Sequence, residues 1–237
     1  TLQLHLAYAG TLDQRFCYLD VERERYQAAY RFSLHTVAKR YALATSDFLH
    51  LTPETGWYPR GGVPQGTAFP ASGHRDYTRY QISVAVPPGW SAFSQGALQV
   101  DSLAGLHHFK TATPLPQVSL TTGPYEIRRL RVDEVDYTLA IHPEHNYFDT
   151  YLDSVSGALP GLIAELKNEY ESALGMEYPH PRFSLIETPI QFFAYDRLWT
   201  VAQESVQPEL VFLPEMGTLC EGCDFRRQQR RGRRRQE

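Results

Sequence analysis

The sequence predicts a mixed α+β chain: an N-terminal antiparallel β domain, a sandwich or saddle, that gives way near residue 123 to a part built of sheet and helix. Three observations predict it. Up to Thr122 the chain is a series of strand-length runs that alternate or stay apolar, punctuated by Gly, Pro, Ser and Asp. From Tyr147 to Leu174 the apolar residues recur at helical spacing. After that segment, Phe183 to Glu187 and Leu210 to Leu213 read as buried strands. The boundaries expected from this change of character are 1–122, 123–225 and an Arg-rich tail at 226–237.

In the first part, LQLHLAYA, RFCYLDV, TRYQISVAV, GALQV and HHFKTA are the strand candidates. In TRYQISVAV the residues Tyr80, Ile82, Val84 and Val86 share one face, and Arg79, Gln81 and Ser83 share the other, the pattern of a half-buried antiparallel strand. PPGW at 87–90 and WYPRGGVPQG at 57–66 are turn signals between strands. His107 and His108 are adjacent in a strand run and are expected on opposite faces.

In the second part, YEIRRLRV and VDYTLAIHP read as strands, the latter alternating through Val135, Tyr137, Leu139 and Ile141. Leu152, Val155, Leu159, Leu162, Leu166, Tyr170 and Ala173 predict one helical stripe facing a core, with Asp153, Lys167 and Glu171 facing water. Gly157 and Pro160 predict a kink there or two helices meeting, because proline removes an interior hydrogen bond and clashes with the preceding turn. Gly175 ends the helix, and YPHPR imposes an extended approach to the strand FSLIE. No repeat occurs at solenoid or propeller periods.

With 237 residues, 42% of them hydrophobic, the chain can bury a substantial core. It opens inside a strand-like run with no initiator Met and no leader, and is expected to be a piece of a longer protein. No stretch reaches the roughly twenty apolar residues that cross a bilayer, so a membrane link is expected outside it.

The formal charge is -4, but RRQQRRGRRRQE holds seven Arg and one Glu, leaving about -10 on residues 1–225. A basic run can pair with phosphates, yet this one has no aromatic residue for base stacking, and nucleic acid is not the favoured partner. Cys17, Cys220 and Cys223 cannot make a complete disulfide framework. The Cys220–Cys223 spacing suits half a zinc site, a thiol pair or a local disulfide, and a zinc site lacks its other two ligands.

Catalytic signatures are missing. Zinc peptidase chemistry needs two His one helical turn apart with a Glu beside the first, and none of the nine His is so placed. The closest group, His142-Pro143-Glu144-His145, has the wrong spacing, and Pro143 bars a helix interior. There is no G-x-S-x-G elbow and no phosphate loop around Gly61, Gly62 and Gly66. Trp57, Tyr58, Trp90, Phe192, Phe193, Tyr195 and Trp199 suit either a peptide groove or packing, with packing favoured for Trp57 and Trp90 beside their turns.

LTPETGWYP at 51–59, RYQISVAVPPGWSAFSQGAL at 79–98, ALGMEYPHPRFSLIETP at 173–189 and ELVFLPE at 209–215 occur in an order that resembles aminopeptidase N-type zinc peptidases. The chain is most similar to the peptidase-like extracytoplasmic domains attached to certain bacterial ABC transporter permeases. The resemblance implies an aminopeptidase-type β domain followed by the first sheet-and-helix part of a thermolysin-like domain. Active members carry a G-x-M-E-N edge strand that holds the peptide's amino end, followed by H-E-x-x-H. Here the matching stretch is Glu204-Ser-Val-Gln-Pro-Glu-Leu210, without that Gly, Met and Asn, and Glu204 or Glu209 stands near the amine-binding Glu.

The expected substrate-binding set is Gln191, Tyr195, Trp199, Glu204, Gln207 and Glu209, with no catalytic residue and no metal ligand. The resemblance implies a non-catalytic binding or structural domain of a transporter complex at the extracytoplasmic face of a bacterial cell, with a peptide ligand and a membrane-embedded remainder of the same protein as partners. The alternative is the front half of a zinc aminopeptidase, with zinc bound only in the longer parent.

Overall fold

In the computed structural model the described residues are 5–7, 9–10, 42–44, 47–53, 57–59, 77–145, 157–189, 192 and 205–214. They form strands β1 (Ala42–Ala44), β2 (Leu49–Leu51), β3 (Gln81–Ala85), β4 (Ser91–Ser94), β5 (Ala97–Asp101), β6 (Leu106–Lys110), β7 (Leu120–Gly123), β8 (Glu126–Val132) and β9 (Val135–Ile141). Helix α1 (Leu159–Leu174) follows, then β10 (Arg182–Thr188), β11 (Val206–Gln207) and β12 (Leu210–Pro214). The described chain is thus mostly β, in three sheets with one helix. No helix among these residues is long and apolar enough to cross a membrane.

The sheets run β1-β2-β7-β4, β3-β6-β5 and β11-β12-β10-β9-β8. The first two are antiparallel throughout, whereas in the third β9, β10 and β12 run parallel between antiparallel edge strands β8 and β11. TRYQISVAV forms β3 with the expected alternation: Ile82 and Val84 half-buried, Gln81, Ser83 and Ala85 exposed. PPGW makes its turn, with the Trp90 N–H donating to the Pro87 carbonyl and Gly89 at φ 82°, where glycine is tolerated and most residues are not. Residues 5–7 and 9, inside the predicted strand LQLHLAYA, adopt no regular structure and pair with no described strand. RFCYLDV lies outside the described residues, as do Cys17, Cys220, Cys223 and the Arg-rich tail.

Register is reinforced by side chains facing each other across strands. His50 and Thr121 pair between β2 and β7 with Nδ1 2.8 Å from Oγ1, and Ser83 and His108 do the same between β3 and β6 at 2.8 Å. Arg131 and Asp136 face each other across β8 and β9 in an exposed ion pair, which contributes little beyond register. Strand β7 is buried along its whole length between β2 and β4, so its β-branched threonines are packed on both faces.

One apolar cluster joins the first and third sheets. Phe93 and Tyr125 pack with Ala140, Ile186, Phe192, Leu210 and Phe212. Trp57, half-buried, packs against Leu51 and Leu120, in keeping with the packing role expected of it. Helix α1 departs from expectation in two ways. It begins at Leu159 with Pro160 in its first turn, where the missing N–H costs nothing, so within the described residues proline opens the helix rather than kinking it. Its stripe is covered only at the start: Leu159 and Leu162 are half-buried, whereas Leu166, Tyr170 and Ala173 are exposed. The helix stops at Gly175, which adopts φ 67° as a left-handed cap.

Candidate functional site

Two prolines followed by glutamates shape the site. Pro208-Glu209 is the two-residue turn joining β11 to β12, and Pro143-Glu144 closes a turn in which the His145 N–H donates to the His142 carbonyl. Proline fixes the first central residue, and Glu209 (φ 66°) and Glu144 (φ 68°) then occupy the left-handed region usually left to glycine. Each such residue costs roughly 1–2 kcal/mol, so the surroundings must hold it in place.

Glu209 is held on both sides of the molecule's sheet boundary. Its Oε2 accepts the Gly96 N–H at 2.9 Å and an Arg182 guanidinium N–H at 3.1 Å, while Oε1 lies 3.7 Å from His180 Nδ1. Its backbone carbonyl accepts the Ser184 N–H at 2.8 Å. The cluster therefore ties the β4–β5 turn of the first region to the start of β10 and the β11–β12 hairpin. Tyr178, next to His180, has its phenol pushed up by burial first and by the Glu209 charge second.

Glu187 is the second buried carboxylate. It sits on β10 with no exposed surface, its Oε2 accepting the His142 N–H at 2.6 Å and its Oε1 lying 3.0 Å from His145 Nδ1. The Tyr125 hydroxyl donates to the Glu187 backbone carbonyl at 3.0 Å, and burial, then the Glu187 charge, pushes that phenol well above its ordinary value. The His142 ring stacks on Tyr125, with centroids 4.7 Å apart. Pro143 makes His142–His145 a turn rather than a helix, as the sequence indicated, and the turn aims its first N–H and last ring at one carboxylate. A carboxylate that fixes a histidine ring in this way orients it. No nucleophilic side chain is hydrogen-bonded to His145 among the described residues.

His50 is completely buried, stacked on Phe48 and edge-on to Phe192 and Phe212. Its Nδ1 meets Thr121, and its Nε2 has no hydrogen-bond partner among the described residues. Burial holds its pKa down to about 3, so the ring is neutral in the fold. The unfolded chain takes up that proton below 6.5, so the contribution to stability is complete above pH 6.5 and is lost progressively as pH falls towards 3. At pH 5 the loss from this one group is about 2 kcal/mol. Urea melts of His50→Leu combined with Thr121→Val, which removes both hydrogen-bonding partners together, are expected to flatten this limb between pH 6.5 and 4. An unchanged slope would assign it to other groups.

Of the residues expected to bind a substrate, Gln207 and Glu209 are described, and both are buried and engaged. Gln207 lies on edge strand β11 and accepts a hydrogen bond from the Gln117 amide. Gln191, Tyr195, Trp199 and Glu204 lie outside the described residues. Sequence reasoning missed Glu187, Arg182, His180, Gly96 and His50. A signal was available for two of them: Glu187 is a charge inside the apolar run FSLIE, and Gly96 is a lone glycine between strands. Zinc, implied for the longer parent, has no fitting donor set here: among the described residues no three His, Cys, Asp or Glu side chains are grouped to hold a metal ion. The carboxylate of the nearest approach, Glu187 with His145, already accepts hydrogen bonds.

No protein-family model matches the chain, and no curated protein sequence matches it. Among solved structures it is similar to the crystal structure of an aminopeptidase N family protein from Idiomarina loihiensis, with a TM-score of 0.44 and 9% identity. That match covers 75% of this chain and 27% of the other, so the chain spans about a quarter of the length of the protein it matches.

Proposed function

We propose that this chain is a non-catalytic, peptidase-like binding or structural part of a longer membrane-attached transporter protein, at the outer face of a bacterial membrane. In this reading residues 1–122 are an aminopeptidase-type β domain, 123–225 the first part of a thermolysin-like domain, and 226–237 a basic tail. The observation that carries the reading is the engagement of Glu209. A carboxylate that receives a peptide's amino group must have an oxygen to offer it. In Glu209 the Oε2 oxygen is instead taken by Gly96 and Arg182, and Oε1 faces His180 at 3.7 Å in a buried side chain. A group so used fastens a hairpin. Gln191, Tyr195, Trp199 and Glu204 are then the residues left to contact a peptide, and no cofactor is required.

The second reading, the front half of a zinc aminopeptidase, is favoured by one feature. The stretch resembling the amine-binding edge strand does form an edge strand, β11. Sequencing the parent gene beyond both ends separates the two. The binding-domain reading expects spans of about twenty apolar residues and no H-E-x-x-H. Finding H-E-x-x-H with a downstream Glu would replace it with the enzyme.

A further inference from the structure

Helix α1 is partly covered along one side, and the C-terminal part of its apolar stripe runs beside that side in solvent. Ile163, Ala164, Lys167 and Glu171 are partly covered, and Lys167 and Glu171 bind each other one turn apart at 3.0 Å. Leu166, Tyr170 and Leu174, each four residues from the next and therefore aligned, are 49%, 67% and 70% exposed, and Met176 beyond the cap is 61% exposed. The rim is acidic. Glu165 and Glu169 lie along one side of the stripe, Glu177 follows its end, and Asp133 and Glu134 are exposed at the β8–β9 turn, close enough for the Asp133 charge to act on Lys167. Two nearby cations are already paired, Lys167 with Glu171 and Arg131 with Asp136.

We propose that the Leu166–Tyr170–Leu174–Met176 stripe is a docking surface for a cationic amphipathic helix of a partner protein. Apolar side chains four apart form a ridge that another helix can receive in its groove, and such helix-on-helix recognition uses anchors at this spacing. The carboxylates beside the ridge select lysine and arginine at the edges of the incoming helix, by charge complementarity that favours the right partner and repels the wrong one. The same charges argue against the two simplest competitors. An anionic bilayer attracts basic surfaces, and this one is acidic. A symmetric pair of copies would set each acidic rim against its own duplicate.

The test uses the full chain and a fluorescent Leu/Lys peptide patterned as an amphipathic helix. The same composition in scrambled order and a Leu/Glu helix of identical pattern serve as controls. The expected result is saturable binding of the Leu/Lys helix alone. Leu166→Ser, Tyr170→Ser and Leu174→Ser together should weaken it by at least about tenfold, the scale of losing central anchors. Glu165→Gln with Glu169→Gln should weaken it less and reduce its dependence on salt. Because these positions are exposed, the variants keep the parent circular dichroism and melting point. Equal binding of the scrambled peptide, or undiminished binding by the triple Ser variant, would overturn the proposal in favour of diffuse charge attraction. Self-association abolished by the triple variant would replace the partner with a second copy. Flotation with phosphatidylserine vesicles, lost in that variant, would replace it with a membrane.

Discussion

Gly96→Ala is expected to lower the folding free energy by about 4 kcal/mol, read as a fall in the urea midpoint at unchanged slope. Three costs fall on the same atom. Gly96 has φ 97°, a conformation that a residue with a Cβ enters at a cost of order 1–2 kcal/mol. The new Cβ would stand 2.5 Å from the carbonyl carbon and oxygen of Lys110 and 2.7 Å from the Thr111 nitrogen. Those are backbone atoms at the end of β6, which cannot swing aside as a side chain could, and overpacking of this kind typically costs roughly 1–3 kcal/mol. Any shift that relieves the clash moves the Gly96 N–H away from Glu209 Oε2, 2.9 Å away, and a hydrogen bond to a charged group is worth roughly 1.5–3 kcal/mol. Glu209→Gln keeps the shape and removes the charge, so it should cost less, about 1–2 kcal/mol. In the double variant the two losses should fall short of additivity by about 1 kcal/mol, because both break the same tie. A Gly96→Ala protein that melts within about 0.5 kcal/mol of the parent would mean that the β4–β5 turn and the β11–β12 hairpin are not fastened here.

That tie also marks the limit of what the sequence discloses. Alternation in TRYQISVAV gives β3 and its exposed and half-buried faces, and Gly175 gives the helix end, because each is decided within a few residues by local geometry. Strands β4 and β7 were not legible. SAFS and LTTG are short, and β7 is buried on both faces, so its residues show no alternation of apolar and polar types. The helix shows the opposite failure. Its stripe is plain in the sequence, but periodicity does not state how far a face is covered, and the covered side runs from Leu159 and Ile163 to Lys167 and Glu171, leaving Leu166 and Tyr170 outside. The candidate site was legible in chain position and not in chemistry. Gln207 and Glu209 were singled out, but Gly96 lies 113 residues from Glu209 along the chain, and no local pattern connects them.

Glu187→Ala is expected to be about as damaging, at roughly 3–5 kcal/mol, because it truncates a fully buried side chain and leaves the His142 N–H without its acceptor. Glu187 has no exposed surface, and its charge acts on the buried Tyr125 phenol, so its presence is favourable only through the groups it satisfies. Truncation takes the acceptor from the His142 N–H at 2.6 Å and the carboxylate from the His145 ring at 3.0 Å, and it leaves a void at a fully buried position. His145→Ala should cost much less, about 1 kcal/mol, because that ring is partly exposed and the His142 N–H keeps its acceptor. Glu187→Gln separates charge from shape. It retains an oxygen for the His142 N–H, and it removes the negative charge that, after burial, is the second cause of the raised Tyr125 phenol. Alkaline absorbance titration should therefore show a phenol ionising at lower pH in Glu187→Gln than in the parent, while remaining above its ordinary value because burial persists. A Tyr125→Phe background should erase the difference. If the tyrosine titration of Glu187→Gln superimposes on that of the parent, Glu187 is not the charge that Tyr125 senses, and the polar centre between β9 and β10 must be organised by other groups.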